Sequence, residues 1–411
     1  MRIFFYSILG IIFSLAAIIL AINYLASGSF YKHETLPPQL SYSAKMLINE
    51  AFEDINEEWI DYHVHLIGEG DPENAFLHPD ARSPIHPLRF IRYIFFKKAI
   101  KVNTLASTNA DYLAGLTKLI LNFPKPGKAY LFAMDKFFHT DGSSDLDLTE
   151  FYVSNEYLFK VTQKNPNLFV PVVSIHPYQE NAISQIIKWY QNGVRYVKWI
   201  PNAMGIQPND PKLDPFFQTL KALDMVLITH GGIERAVIAN THQHLGNPLL
   251  LRRALDQGVK VIIAHGASLG RCDDLEHPDV GQVDCFDLFM RLMDDPKYKY
   301  NLFGDISAVT QSNRKLKVIE TLLAREDLHD RFVNGSDYPV PAINMLINTN
   351  NFVQHALITK DQAKALKEIY QYNPLLYDFV LKRTLRLPDK GQKFSANIFI
   401  KNPQLPEGGK T

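Results

Sequence analysis

Trp59-Ile60-Asp61-Tyr62-His63-Val64-His65-Leu66 reads as a β-strand that carries chemistry. In an extended chain successive side chains alternate faces, so Asp61, His63 and His65 share one face and Tyr62, Val64 and Leu66 the other. An apolar face that packs on helices and a polar face that lines a mouth suit the first strand of a parallel barrel. Two imidazoles two residues apart can chelate one metal ion. The plain alternative is a pair of satisfied histidines in a half-exposed strand, and the rest of the chain weighs against it.

Four further short apolar runs end in polar groups. Met225-Val226-Leu227-Ile228-Thr229-His230-Gly231-Gly232 and Val259-Lys260-Val261-Ile262-Ile263-Ala264-His265-Gly266 each read as a buried strand whose exit carries a histidine and then glycine. Arg331 to Pro339 ends on Asn334-Gly335-Ser336-Asp337-Tyr338-Pro339, and Val194 to Pro201 carries Lys198 near its end. A (β/α)₈ barrel builds its active site from the C-terminal ends of several strands, so an ordered set of histidines and acids at such ends is what a catalytic mouth requires. The second, third and seventh strands are expected at Lys128–Asp135, Leu168–His176 and Tyr300–Ser307.

The order Asp61-x-His63-x-His65, His230, His265 and Gly335-Ser336-Asp337-Tyr338-Pro339 resembles the amidohydrolase superfamily of metal-dependent TIM-barrel hydrolases. The likeness is strongest to its amidohydrolase-related branch (family 2), which also contains decarboxylases. It runs over about residues 58 to 380 and ends on Asn373-Pro374-Leu375-Leu376-Tyr377, which is similar to the family's closing helix. The resemblance implies that His63, His65 and His230 are metal ligands, that Asp337 contacts the metal or its water and shuttles the proton, and that His265 orients water or polarises the carbonyl. Asp61 is a further candidate ligand. With two ions, His230 and His265 would hold the second and Lys198 would bridge both as a carbamate, because an unmodified ammonium repels cations. The other reading of Lys198 is an ion pair with Asp61 or Asp305. Neutral imidazole and carboxylate suit a divalent ion, with zinc the first choice, and one ion is favoured over two.

Composition agrees with one large barrel. The chain has 411 residues, 46% of them hydrophobic, enough for a single core. Its 43 basic and 43 acidic residues cancel, which gives no electrostatic reason to expect nucleic acid. The expected partner is a small-molecule substrate; the oligomeric state is not readable. Two cysteines, Cys272 and Cys285, cannot build a zinc site alone, and are read as either a disulfide or two free thiols.

Ile3 to Leu25 is almost wholly apolar, flanked by Arg2 and Lys32. A run of about 20 such residues fits a transmembrane helix better than a cleaved signal. The expected organisation is therefore an anchor over 1–28, linker and approach helix over 29–57, barrel over 58–385 and a tail over 386–411, with the barrel on the outer, periplasmic side of a membrane. Residues 76 to 126 are too long for a plain βα connection and are expected to form a lid, with Ile91 to Ile100 read alternatively as a second membrane-touching element.

Other polar groups carry less. His242 and His244 read as surface or substrate-side groups, and His176 and Asp305 as strand-exit residues at the rim. Three functions follow: hydrolysis of an amide, ester or lactone; nonoxidative decarboxylation of an aromatic or unsaturated acid, with Arg82, Arg89, Arg92 or Arg271 to hold the carboxylate; or a tethered binding protein on a damaged barrel. No expected ligand is missing, which disfavours the third.

Overall fold

Runs such as Val226–His230 and Lys260–Ala264, apolar on both faces, must be covered on both sides, and a parallel ring wrapped in helices does this. The computed structural model describes residues 39–69, 73–100, 108–237, 239 and 241–409, with residues 14, 17, 20, 21 and 24–26 of the leading apolar run. Eight parallel strands follow one another: β1 Trp59–His65, β2 Gly127–Phe132, β3 Phe169–Val172, β4 Tyr196–Trp199, β5 Val226–His230, β6 Lys260–Ala264, β7 Leu302–Asp305 and β8 Phe332–Val333. They pair in chain order as a group of three and a group of five. Parallel bridges Val173 to Val197 and Val64 to Tyr338 close the two seams, so the ring is complete. The expected strands are all present with trimmed ends; His65, His230 and Asp305 are the last residues of their strands, whereas His265 and Asp337 lie in the exits.

β1 departs from simple alternation. Its register against β2 slips between Asp61 and Val64. An extra residue in one strand resets which side the following side chains face. Ile60 and Tyr62 therefore join the barrel interior, while Trp59, Val64 and Leu66 pack outward under the helices. Tyr62 thus lies on the inner face, not the outer one expected from strict alternation.

The floor of the barrel is sealed by the end of the chain. Tyr62, Tyr130 and Tyr196 fill the interior together with Leu405. The Asn402 N–H donates to the Tyr62 oxygen at 3.1 Å, and the Tyr196 hydroxyl donates to the Pro406 carbonyl at 2.6 Å. At the other end, the insertion after β1 supplies the helix Pro87–Ala99, which lies along the mouth. Cys272 and Cys285 form a disulfide across the hairpin Arg271–Asp273 and Gln282–Asp284, which leaves β6 on the mouth side.

The membrane localisation expected from the leading run requires correction. Spanning a bilayer takes about 30 Å of apolar helix, and among the described residues no helix is long and apolar enough to cross one. The helix Thr108–Leu121, at 14 residues, reaches about 21 Å. The run itself, and residues 29–38 of the expected linker, lie largely outside the described residues. Within Ile91 to Ile100, read alternatively as a membrane-touching element, Phe95, Phe96 and Ile100 face the mouth cavity.

Candidate metal centre

His63 and His65 leave β1 with their ring Nε2 atoms 3.2 Å apart. Asp337 Oδ1 lies 3.4 Å from the first and 3.2 Å from the second. Ligand atoms held about 2.1 Å from one ion are spaced in this way. His265 also offers a ligand atom, within 4.8 Å of those of His63 and Asp337. His230 stands beside His265, ring centroids 5.2 Å apart. Its Nε2 is buried without a hydrogen-bond partner among the described residues.

What holds these rings is a second layer of acceptors behind them. His63 Nδ1–H donates to Asp305 Oδ2 at 2.8 Å, which leaves Nε2 as a bare lone pair. Asp305 Oδ1 accepts the backbone N–H of His265 at 2.9 Å and of Ser307 at 3.0 Å, and also the Ser307 hydroxyl. Since the single hydroxyl proton of Ser307 is committed there, Ser307 Oγ accepts from His265 Nδ1–H at 2.7 Å. His265 Nε2 is then also a lone pair. His230 Nδ1 faces Glu234 Oε2 at 3.4 Å. Burial pushes His63, His230 and His265 below the ordinary imidazole value, so all three are neutral.

Backbone geometry serves the same end. Gly335 brings the loop after β8 against β1, where a Cβ would lie 2.7 Å from that of His63. His265 and Asp337 both adopt positive φ, 58° and 64°. For residues with a Cβ such conformations are costly and cluster at functional sites.

The remaining sequence candidates fall in different places. Asp61 is not part of the cluster: its Oδ1 accepts the N–H of His63 at 3.0 Å and of Ser336 at 2.8 Å, so it ties β1 to the loop after β8. The slipped register explains this, because it parts Asp61 from the face that His63 and His65 use. Lys198 is fully buried beside the cluster, its Nζ 4.8 Å from the Phe132 ring centre, and among the described residues it makes no ion pair with Asp61 or Asp305. Burial lowers its ammonium to about 8. His176 is a satisfied structural residue, donating to the Met204 carbonyl at 2.7 Å and accepting from Tyr178 N–H, and His242 and His244 lie outside the cavity. Three groups escaped the sequence reading: Glu234, Ser307 and Arg314. Glu234 had a weak signal, an acid four residues after His230; Ser307 closes the run expected as the seventh strand, two residues after Asp305, and only Arg314 sits in a loop without pattern.

The cluster opens into a cavity of about 450 Å³ roofed by the Pro87–Ala99 helix. Glu69, just beyond β1, fixes that helix by accepting from Arg82 at 2.9 Å, Tyr93 at 2.9 Å and Lys97 at 3.2 Å. Arg89 pairs with Asp80 at 2.7 Å and Glu150 at 3.1 Å. Arg271 instead donates to the Gln282 carbonyl.

The chain matches the family model described as Amidohydrolase over residues 60–375. It belongs to the amidohydrolase family. Among solved structures, this amidohydrolase is similar to an uncharacterised TIM-barrel protein from Bordetella bronchiseptica, 17% identical over 80% of this chain and 99% of that one, TM-score 0.49. It is also similar to 4-oxalomesaconate hydratase from Rhodopseudomonas palustris (13%, 78% and 96%, TM-score 0.41) and to 5-carboxyvanillate decarboxylase from Sphingomonas paucimobilis (11%, 80% and 97%, TM-score 0.41). At these identities and scores the likeness carries nothing about substrate. No curated protein matches the amidohydrolase chain. The family holds hydrolases, hydratases and decarboxylases alike.

Proposed function

We propose that this amidohydrolase is a metal-dependent hydrolase that cleaves an amide, ester or lactone bond in a small molecule by attack of water. The observation that carries the reading is the cluster of inward ligand atoms: the Nε2 lone pairs of His63 and His265, the unpartnered Nε2 of His230, and His65 Nε2 with the Asp337 carboxylate, gathered around one point. Such a set is repulsive unless a cation or a shared proton sits within it, and three of its imidazoles are neutral. A divalent ion, zinc by preference, would be held by His63, His65, His230 and Asp337 and would supply the Lewis acidity that activates water and polarises a carbonyl. Asp337 is placed to take the proton of the attacking water and return it to the leaving group. His265, an acceptor at Nε2, orients that water and does not donate to the carbonyl oxygen. One ion is preferred, because Nε2 of His63, Nε2 of His65 and Oδ1 of Asp337 converge within 3.4 Å of one another on a single point.

Nonoxidative decarboxylation of an aromatic or unsaturated acid is the second reading. Arg314 favours it, a cation beside the cluster that forms no ion pair among the described residues and could hold a carboxylate. The deciding experiment is metal analysis of the chain and of His63→Ala and His65→Ala, followed by a panel of esters, lactones, amides and aromatic acids in ¹⁸O-water. Loss of most of the ion in both variants is expected, with label entering the product on hydrolysis. Release of carbon dioxide with no label in the organic product selects decarboxylation, and full metal content in both variants removes the site assignment.

A further inference from the structure

The cavity over the cluster is lined by two kinds of group. Its wall is apolar from floor to rim: Ile67 beyond β1, Phe95 and Phe96 on the Pro87–Ala99 helix, Val237 beyond β5 and Leu346 beyond β8. At the rim the same lining continues on to the surface, where Ile91 is 44% and Met345 49% exposed. Apolar side chains left in water at the lip of an apolar cavity extend its binding surface outward.

The second kind is cationic: Arg92, Lys198, Arg235 and Arg314 make no ion pair among the described residues, and of the three arginines Arg314 is the one hydrogen-bonded to Ser268, three residues beyond His265. Arg89 and Lys97 are neutralised by Asp80, Glu150 and Glu69. Arg314 is different: its Nε donates to Ser268 Oγ at 3.0 Å and its Nη1 to Asn313 Oδ1 at 3.1 Å, both neutral acceptors, and no carboxylate pairs with it among the described residues. It lines the same cavity as His230 and His265. A half-buried guanidinium whose fork is not filled by a carboxylate is suited to binding one from a ligand.

We propose that the substrate is an anionic amphiphile: a molecule with a carboxylate held by Arg314 beside the reacting centre and an extended apolar chain that runs along Phe95 and Phe96 and leaves between Ile91 and Met345. This rests on the reading of the mouth as the reaction site and adds the class of molecule it takes. A compact polar acid would leave the wall unfilled, and a neutral lipid would leave Arg314 without its counter-charge.

The test is binding rather than turnover. Decanoate, butyrate, benzoate and decan-1-ol are titrated by calorimetry into the full chain, with and without added zinc. Decanoate is expected to bind at least about tenfold more tightly than each of the other three, because its additional methylenes or its charge are engaged only by this ligand. Arg314→Gln is expected to erase the preference for acid over alcohol. Ile91→Asp, at an exposed position where folding is not at stake, and Phe96→Asp are expected to erase the dependence on chain length while leaving butyrate unchanged. Equal binding of benzoate or butyrate and decanoate overturns the extended chain. An acid preference that survives Arg314→Gln, or that Arg92→Gln removes instead, overturns the placement of the carboxylate. Metal binding and turnover of short polar esters by a chain indifferent to decanoate sink this inference alone. Decanoate bound through Arg314 by a chain that holds no metal leaves the amphiphile site standing and sinks the hydrolase.

Discussion

The mouth and the floor of this barrel are built from the same eight strands and treat their polar atoms in opposite ways. At the floor, Tyr62 and Tyr130 stack at 4.4 Å, Tyr196 meets Tyr130 edge-on at 5.0 Å, and the hydroxyls of Tyr62 and Tyr196 are engaged by the chain end around Leu405. At the mouth, Nε2 atoms face one another, Lys198 has no ion partner among the described residues, and His265 and Asp337 hold positive φ. Packing explains the first arrangement completely. The second is costly on its own and makes sense only as a site kept ready for a cation and a substrate.

This difference is open to attack, and the largest effect is expected at Asp337. Asp337→Asn preserves shape but cannot accept a proton, so turnover of whichever panel substrate is found should fall by about a hundredfold or more while the thermal midpoint is kept. Near-normal turnover would place the proton transfer elsewhere. At the floor the expectation reverses. Leu405→Ala opens a hole beneath the tyrosines and should cost about 2–4 kcal/mol in denaturant unfolding, with metal stoichiometry untouched. A loss of metal in that variant would mean that the two ends are not separable. Between these extremes stands Asp305, which touches no ligand atom directed inward yet holds His63 and the backbone of His265. Asp305→Asn should weaken metal binding by about ten- to a hundredfold, read by competition with a chelator, because its amide can no longer accept from every donor aimed at it.

The same contrast governs what could be read from the chain alone. His63, His65, His230, His265 and Asp337 were legible because each ends or follows an apolar run, and strand exits of a parallel barrel converge. Asp61 was misplaced because a single slip of register inside β1 is invisible to a period of two. Ser307 and Arg314 were missed because their roles are set by contacts across 42 and 46 residues, to His265 and Ser268, which no local pattern announces. Leu405 was likewise hidden: a Pro- and Gly-rich tail gives no sign that one of its leucines enters the barrel.

Lys198 is the one residue that belongs to neither end's logic, and the smallest effect is expected there. It is buried among the interior strands like a floor residue, yet carries a charge that burial lowers to about 8 from an ordinary 10.5. Between those two pH values the unfolded chain keeps a proton that the folded core has shed, so the stability of the metal-free protein should rise with pH across that window. Below it both states are protonated and the slope vanishes. Lys198→Met should remove the rise, and, if one ion is bound, should change its affinity at pH 7 by less than about threefold, since no ligand is lost. Loss of a second ion in this variant, restored in part by added short carboxylic acids, would instead identify the lysine as a carbamate bridge and move it from the packing of the barrel into the chemistry of its mouth.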